Sequence, residues 1–176
     1  MIQKIRLFGD EVLRKTAEPI SPEDPKAAQV VQDLIDTLGA NEEFALAAPQ
    51  IGNSFRIFII NPIWIEDVEK RHPMIFINPK LLEFEGDQFV PEGCLSVPEI
   101  YEKVKRAQVV KFRAQDLSGK WKKYTGQELF ARAVQHENDH LDGILFIDKI
   151  SPIRRRLLHG KLKIMESTTK NGVNIG

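Results

Sequence analysis

Residues 136–140 read His-Glu-Asn-Asp-His, inside a stretch from Gln127 to Leu141 that lacks proline and glycine until Asp142-Gly143. On an α-helix, side chains at i and i+4 share a face, so two imidazoles can reach one ion. Leu129, Ala133, His136 and His140 lie at offsets of 4, 7 and 11 and form one stripe, which turns the pair inward. Glu137 lies about 100° round the helix, beside such an ion without being obliged to bind it. A general base belongs there. Thr125 and Glu128 have capping-box spacing, which predicts where the helix begins.

The rest of the chain shows further elements. Asp24-Pro25 is a capping residue followed by proline at the first helical position, and Val31, Leu34, Ile35 and Leu38 recur on one face up to Gly39. From Phe55 to Thr125 the pattern changes to short runs rich in β-branched and aromatic residues: Phe55 to Ile60, Met74 to Asn78, Leu81 to Phe84 and Val109 to Phe112. Asn61-Pro62 and Asn78-Pro79 punctuate them, and Asp116 to Gly119 reads as a hairpin turn before Trp121 to Tyr124. Strands gathered together, not alternating with helices, predict an α+β fold with antiparallel pairing. A last helix is expected from about Ser151 to Glu166, carrying Arg154, Arg155, Arg156, Lys161 and Lys163. The plainest reading of that run is a solvated face.

With 176 residues and no repeat or Gly/Ser-rich linker, one domain over residues 1–176 is expected. Lys+Arg 25 cancels Asp+Glu 25, so no global field draws the chain to nucleic acid or membrane. No apolar run is long enough to cross a bilayer, and Met1 to Gly9 lacks the features of a signal peptide. A cytoplasmic protein is expected, and a single cysteine suits that compartment.

The third ligand decides the chemistry. A metzincin would continue with glycine and a third histidine; Gly143 fits, but the histidine position is Phe146. A thermolysin-type carboxylate could come only from Glu166, near the end of the chain. Cys94, in Glu92-Gly93-Cys94-Leu95-Ser96, is the better candidate. Thiolate and neutral imidazole suit zinc and iron(II) alike, and three protein ligands leave a fourth position open. A water bound there has a lowered pKa. His72 and His159 lack the spacing to close the site as a fourth ligand.

Three motifs in this order resemble the peptide deformylase family: Leu46-Ala47-Ala48-Pro49-Gln50-Ile51-Gly52, Glu92-Gly93-Cys94-Leu95-Ser96, and Gln135-His136-Glu137-Asn138-Asp139-His140-Leu141-Asp142-Gly143. Gly9 to Arg14 and Leu145 to Asp148 extend the resemblance along nearly the whole chain. It implies antiparallel strands surrounding a central helix that carries the histidines, with a C-terminal helix. It implies iron(II) held by Cys94, His136 and His140, with zinc, nickel or cobalt able to take the same site. The substrate would be the N-formylmethionyl end of a nascent peptide, and formate the product. Glu137 would move the proton, with the Gln50 amide and the Leu95 backbone N–H donating to the reacting oxygen. Phe44, Ala45, Glu92, Leu129 and Ala133 become candidate substrate residues, Glu92 being placed to orient the cysteine loop. Some family members dock on the ribosome, which the basic C-terminal segment could do here; no membrane is implied.

One departure stands out. The first motif normally opens Gly-x-Gly, where this chain has Glu43 and Ala45. Two other readings differ in kind: a metallopeptidase cutting internal bonds, which needs no formyl group, and a diverged binding protein, which would not need Glu137.

Overall fold

The structure is a computed structural model that describes residues 1–62 and 72–172. Its elements in chain order are α1 (Pro25–Asn41), β1 (Ala45–Ala47), β2 (Ile57–Ile60), β3 (Met74–Glu85), β4 (Gln88–Cys94), β5 (Val97–Arg106), β6 (Val109–Gln115), β7 (Trp121–Gln127), α2 (Glu128–Leu141) and α3 (Pro152–Lys170). Five strands form an antiparallel sheet in the order β1-β2-β3-β6-β7, and β4 and β5 form a separate hairpin. The expected α+β class with antiparallel strands and a C-terminal helix is what the chain adopts.

The sheet is covered on both faces, which explains the unbroken apolar run of β2. Ile57 and Ile59 join Val30, Val31, Leu34 and Leu38 of α1, while Phe58 and Ile60 join Ala131, Ala133, Val134 and Leu141 of α2. Successive strand residues point to opposite faces, so a strand buried twice must be apolar throughout. Phe76 anchors the α2 side, its ring 5.0 Å from Phe58, 5.3 Å from Phe112 and 5.1 Å from Tyr124. The hairpin has its own small core, where Val97, Ile100 and Val104 pack with Phe146, Ile147, Leu162 and Met165. Helix α2 thus lies on the sheet and is bonded on another side to the hairpin, through Arg106 to Asp139 and Gln135 to Ala107.

Four local expectations need correcting. The runs Met74 to Asn78 and Leu81 to Phe84 are one strand, bent by register shifts next to Asn78-Pro79, where Asn78 takes a left-handed φ of 51°. Thr125 and Glu128 form no capping box: β7 stays paired with β6 up to Gln127, opposite Val109, and the chain turns straight into the helix without a side-chain cap. A residue still held in a ladder cannot fold back to cap. Helix α1 also runs past Gly39 to Asn41 and ends at Glu42, which takes the left-handed conformation. The Asp24 cap with Pro25 after it is as expected, and α3 starts where expected, with Ser151 capping it, but runs on past Glu166 to Lys170.

Candidate metal centre

Helix α2 presents His136 and His140 on one face, and the turn of the β4–β5 hairpin brings Cys94 to them. Sγ of Cys94 lies 3.4 Å from Nε2 of His140, and one donor atom from each of the three residues lies within 4.8 Å of the others. Ligand–metal distances of about 2.0–2.3 Å would produce donor separations of this size. Burial keeps the pKa of His140 well below its ordinary value. At His136 burial is outweighed by hydrogen bonds to Cys94 and Glu92, which raise the pKa well above its ordinary value, so an ion binding here would displace a proton from that ring. The residues present fit a divalent ion with one open position. Among the described residues no other histidine, cysteine or acidic group joins this cluster, so His72 and His159 stay outside it. Phe146 is buried with its ring centroid 6.2 Å from that of His136, and packs on a ligand instead of being one.

Behind the ligands lies a set of buried charges. Nδ1 of His136 is 2.9 Å from Oε2 of Glu92, so an Nδ1–H given to that carboxylate leaves Nε2 for the ion. Arg106 holds the carboxylate in turn, Nε donating to Oε1 at 2.8 Å and Nη2 to Oε2 at 3.0 Å, while Nη1 donates to Asp139. Lys149, itself exposed, reaches Asp139 from the surface. Burial alone would raise the pKa of Glu92, but Arg106 and His136 outweigh it and hold the carboxylate at about 2. Glu92 lines the cavity in front of the ligands, yet both its oxygens are occupied by Arg106 and His136.

That cavity has a volume of about 200 Å³, and its walls include Phe44, Ala45, Gln50, Leu95, Leu129 and Ala133 besides Cys94, His136 and Glu137. Every substrate candidate named from the sequence is therefore in one place. Leu129 is 44% exposed and sits at the rim, where Ala133 is buried. Gln50 is buried, accepts from the Ala47 backbone N–H and turns its Nε2 to Cys94 Sγ at 3.4 Å. Glu137 is buried and its Oε2 has no hydrogen-bond partner among the described residues. Burial, with Glu43 and Glu92 adding to it, pushes its pKa up to about 7. A larger groove of about 710 Å³ lies against a different face of α2, along Asn138 and Asp142, and contains none of the three donors.

Sequence reasoning found the donors and missed their supports, Arg106, Asp139 and Lys149. One signal was present. On β5 the buried positions alternate as Ile100, Glu102, Val104 and Arg106, a strand pattern with charges on its inward side.

The polypeptide deformylase family model matches residues 2–156. A peptide deformylase of Acidobacterium capsulatum is 41% identical over 94% of this chain and 96% of its own. Among solved structures, a Legionella pneumophila peptide deformylase superposes with a TM-score of 0.84 at 36% identity, over 97% of this chain and 98% of that one. A class I type b peptide deformylase of Acinetobacter baumannii, bound to Met-Ala-Ser, gives 0.76 at 32% identity over 85% and 99%. This likeness runs through both the loop and the helix that bring the three donors together, and the chain belongs to the polypeptide deformylase family.

Proposed function

We propose that this deformylase takes the formyl group from the N-terminal methionine of newly made polypeptides, releasing formate, with residues 1–176 acting as one catalytic domain. The observation that carries the mechanism is Glu137: a buried carboxylate oxygen without a hydrogen-bond partner among the described residues, in the wall of the cavity that holds Cys94 and His136 of the donor cluster. Cys94, His136 and His140 would hold the ion, iron(II) by the family resemblance, with zinc, nickel or cobalt acceptable to the same donors. When bound, the ion supplies a Lewis acid and lowers the pKa of a water on its open position.

Glu137 takes the proton of the attacking water at Oε2 and returns it to the departing amine nitrogen. Nε2 of Gln50 and the backbone N–H of Leu95 donate to the oxygen that gains charge. Glu92 orients His136. Phe44, Leu129 and Ala133 wall the methionine side chain. Strand β1 is an edge strand, and its Ala45 lies in the cavity wall, so the peptide can run alongside it as an added strand.

Among the described residues no helix is long and apolar enough to cross a membrane. The cytoplasm, where new chains emerge, is the proposed workplace, and α3 the proposed contact with the ribosome. Of its cations, Arg154 is engaged by Glu102, Arg155 by Asp148, Lys161 by Glu99 and Lys170 by Glu166, leaving Arg156 and Lys163 outside any ion pair among the described residues.

Metal analysis beside hydrolysis of a formyl-methionyl peptide tests the site. Cys94→Ser and His136→Ala should each lose tightly bound metal and activity together. Stoichiometric metal with full turnover in either variant would refute the ligand assignment. For α3, co-sedimentation with ribosomes should fall in Arg156→Gln/Lys163→Gln, and unchanged co-sedimentation would remove the helix from that role.

A further inference from the structure

Pairing of β3, β6 and β7 sets Lys80 directly opposite Arg113, and Arg113 directly opposite Lys123. Their neighbours Leu81, Phe112 and Tyr124 pack in the core on the α2 side, so the three cations lie on the other face of their strands and are exposed. Lys80 stands at the edge of the groove of about 710 Å³ that Trp121 also lines. Like charges placed directly opposite destabilise a sheet. The acids of these strands do not relieve them. Glu83 and Glu85 are held by Lys111, and Asp116 by Lys122. Lys123 lies within electrostatic reach of Glu83, yet no ion pair forms to Lys80, Arg113 or Lys123 among the described residues. In a chain whose charges sum to zero, this row is a local accumulation.

An aromatic ring lies against the row. Trp121 is 46% exposed, with the Arg113 guanidinium 4.9 Å and the Lys80 ammonium 5.8 Å from its ring. A partner that uses both parts must carry repeated negative charge and flat, unstacked faces. An acidic peptide offers only the first, and a duplex keeps its bases stacked inside. We propose that Lys80, Arg113, Lys123 and Trp121 form a binding surface for single-stranded nucleic acid, the cations taking phosphates and the indole stacking on a base. None of the four lines the metal cavity, so the surface is separate from the catalytic centre.

The test uses the full-length, metal-loaded protein and a labelled oligouridylate, followed by anisotropy and tryptophan emission across a salt series. Three phosphate contacts on a single strand should give a slope of log affinity against log salt of about −2. Arg113→Gln/Lys123→Gln should flatten the slope to roughly a third of that. Trp121→Leu should weaken binding about tenfold, leave the slope unchanged and abolish the emission change. The double variant should melt no lower than wild type, since it relieves a like-charge contact, and should deformylate a short peptide at the wild-type rate. Lost binding in a variant that keeps both properties is therefore a surface effect. The proposal is overturned by the absence of saturable binding at low salt, or by polyglutamate displacing the RNA equally well without any change in emission.

Discussion

We predict that Arg106→Met, which removes the cation between two acids and keeps most of the side chain's length, is among the most damaging single changes outside the metal ligands. The Arg106 side chain is 2% exposed and donates to both Glu92 and Asp139. Two routes give the size of the loss. Against burial, Arg106 and His136 together hold Glu92 at about 2 instead of 4.5, Arg106 being the larger contributor. At about 1.4 kcal/mol per pKa unit that net shift is roughly 3 kcal/mol in favour of the ionised folded state. Removing one partner of a buried ion pair costs about 3–5 kcal/mol because the other charge is left unpaired. The folded pKa of Glu92 lies below its unfolded value, so this contribution is fully present above about pH 4.5 and is lost as pH falls toward 2. Urea unfolding, with metal in constant excess to fix its own contribution, should show a gap of about 3 kcal/mol near neutrality. The gap should narrow through that acid window. Adding Glu92→Gln to the variant removes the stranded carboxylate and should recover part of the loss. A gap below about 1 kcal/mol, the ordinary effect of a substitution, or one that stays level as pH falls, would refute the reasoning.

Two further predictions concern the reaction. Glu137→Gln keeps shape and hydrogen bonding but cannot take a proton, so turnover should fall by about 10²-fold or more while metal content stays at wild-type level; a near-normal rate removes Glu137 from the mechanism. Ala45 places a methyl on the edge strand beside the peptide path, which can cost about 1–3 kcal/mol where nothing relaxes, and Glu43 adds a carboxylate to the same cavity wall. Glu43→Gly/Ala45→Gly should raise kcat/KM and flatten a preference for formyl-Met peptides with a downstream lysine over aspartate, most clearly at low salt. A double variant equal to wild type on both peptides across a salt series means that neither residue meets the substrate.

Helix α1 could be read from the sequence because its cap and apolar spacing are local signals, and the histidine pair showed α2 by its chemistry. The ends of α2 and β3 were less legible for a shared reason. Strand pairing decided both, holding Thr125 in the ladder and carrying β3 through Asn78-Pro79 as one bent strand. The β4–β5 hairpin was missed altogether. Its inward side carries Glu102 and Arg106, which in sequence look like a solvated face and in the fold are buried against charges that arrive from elsewhere. Asp139 reaches Arg106 from 33 residues away, and no local pattern announces such a partner. Cys94, His136 and His140 could be named together from the sequence because coordination chemistry restricts which side chains can serve, and the structure brings the three into one cluster.

Arg106 serves acids on two separate elements, and each acid has a second obligation, Glu92 to His136 and Asp139 to Lys149. Altering Arg106 alone leaves two interior carboxylates short of a cation. A well-packed apolar replacement of equal volume can match or exceed the stability of such a group. Single substitutions, however, reach it only through badly destabilised intermediates. The ground beside the metal ligands is for that reason closed to gradual drift, whatever better solutions exist, whereas the exposed cations of β3, β6 and β7 can be rewritten one residue at a time.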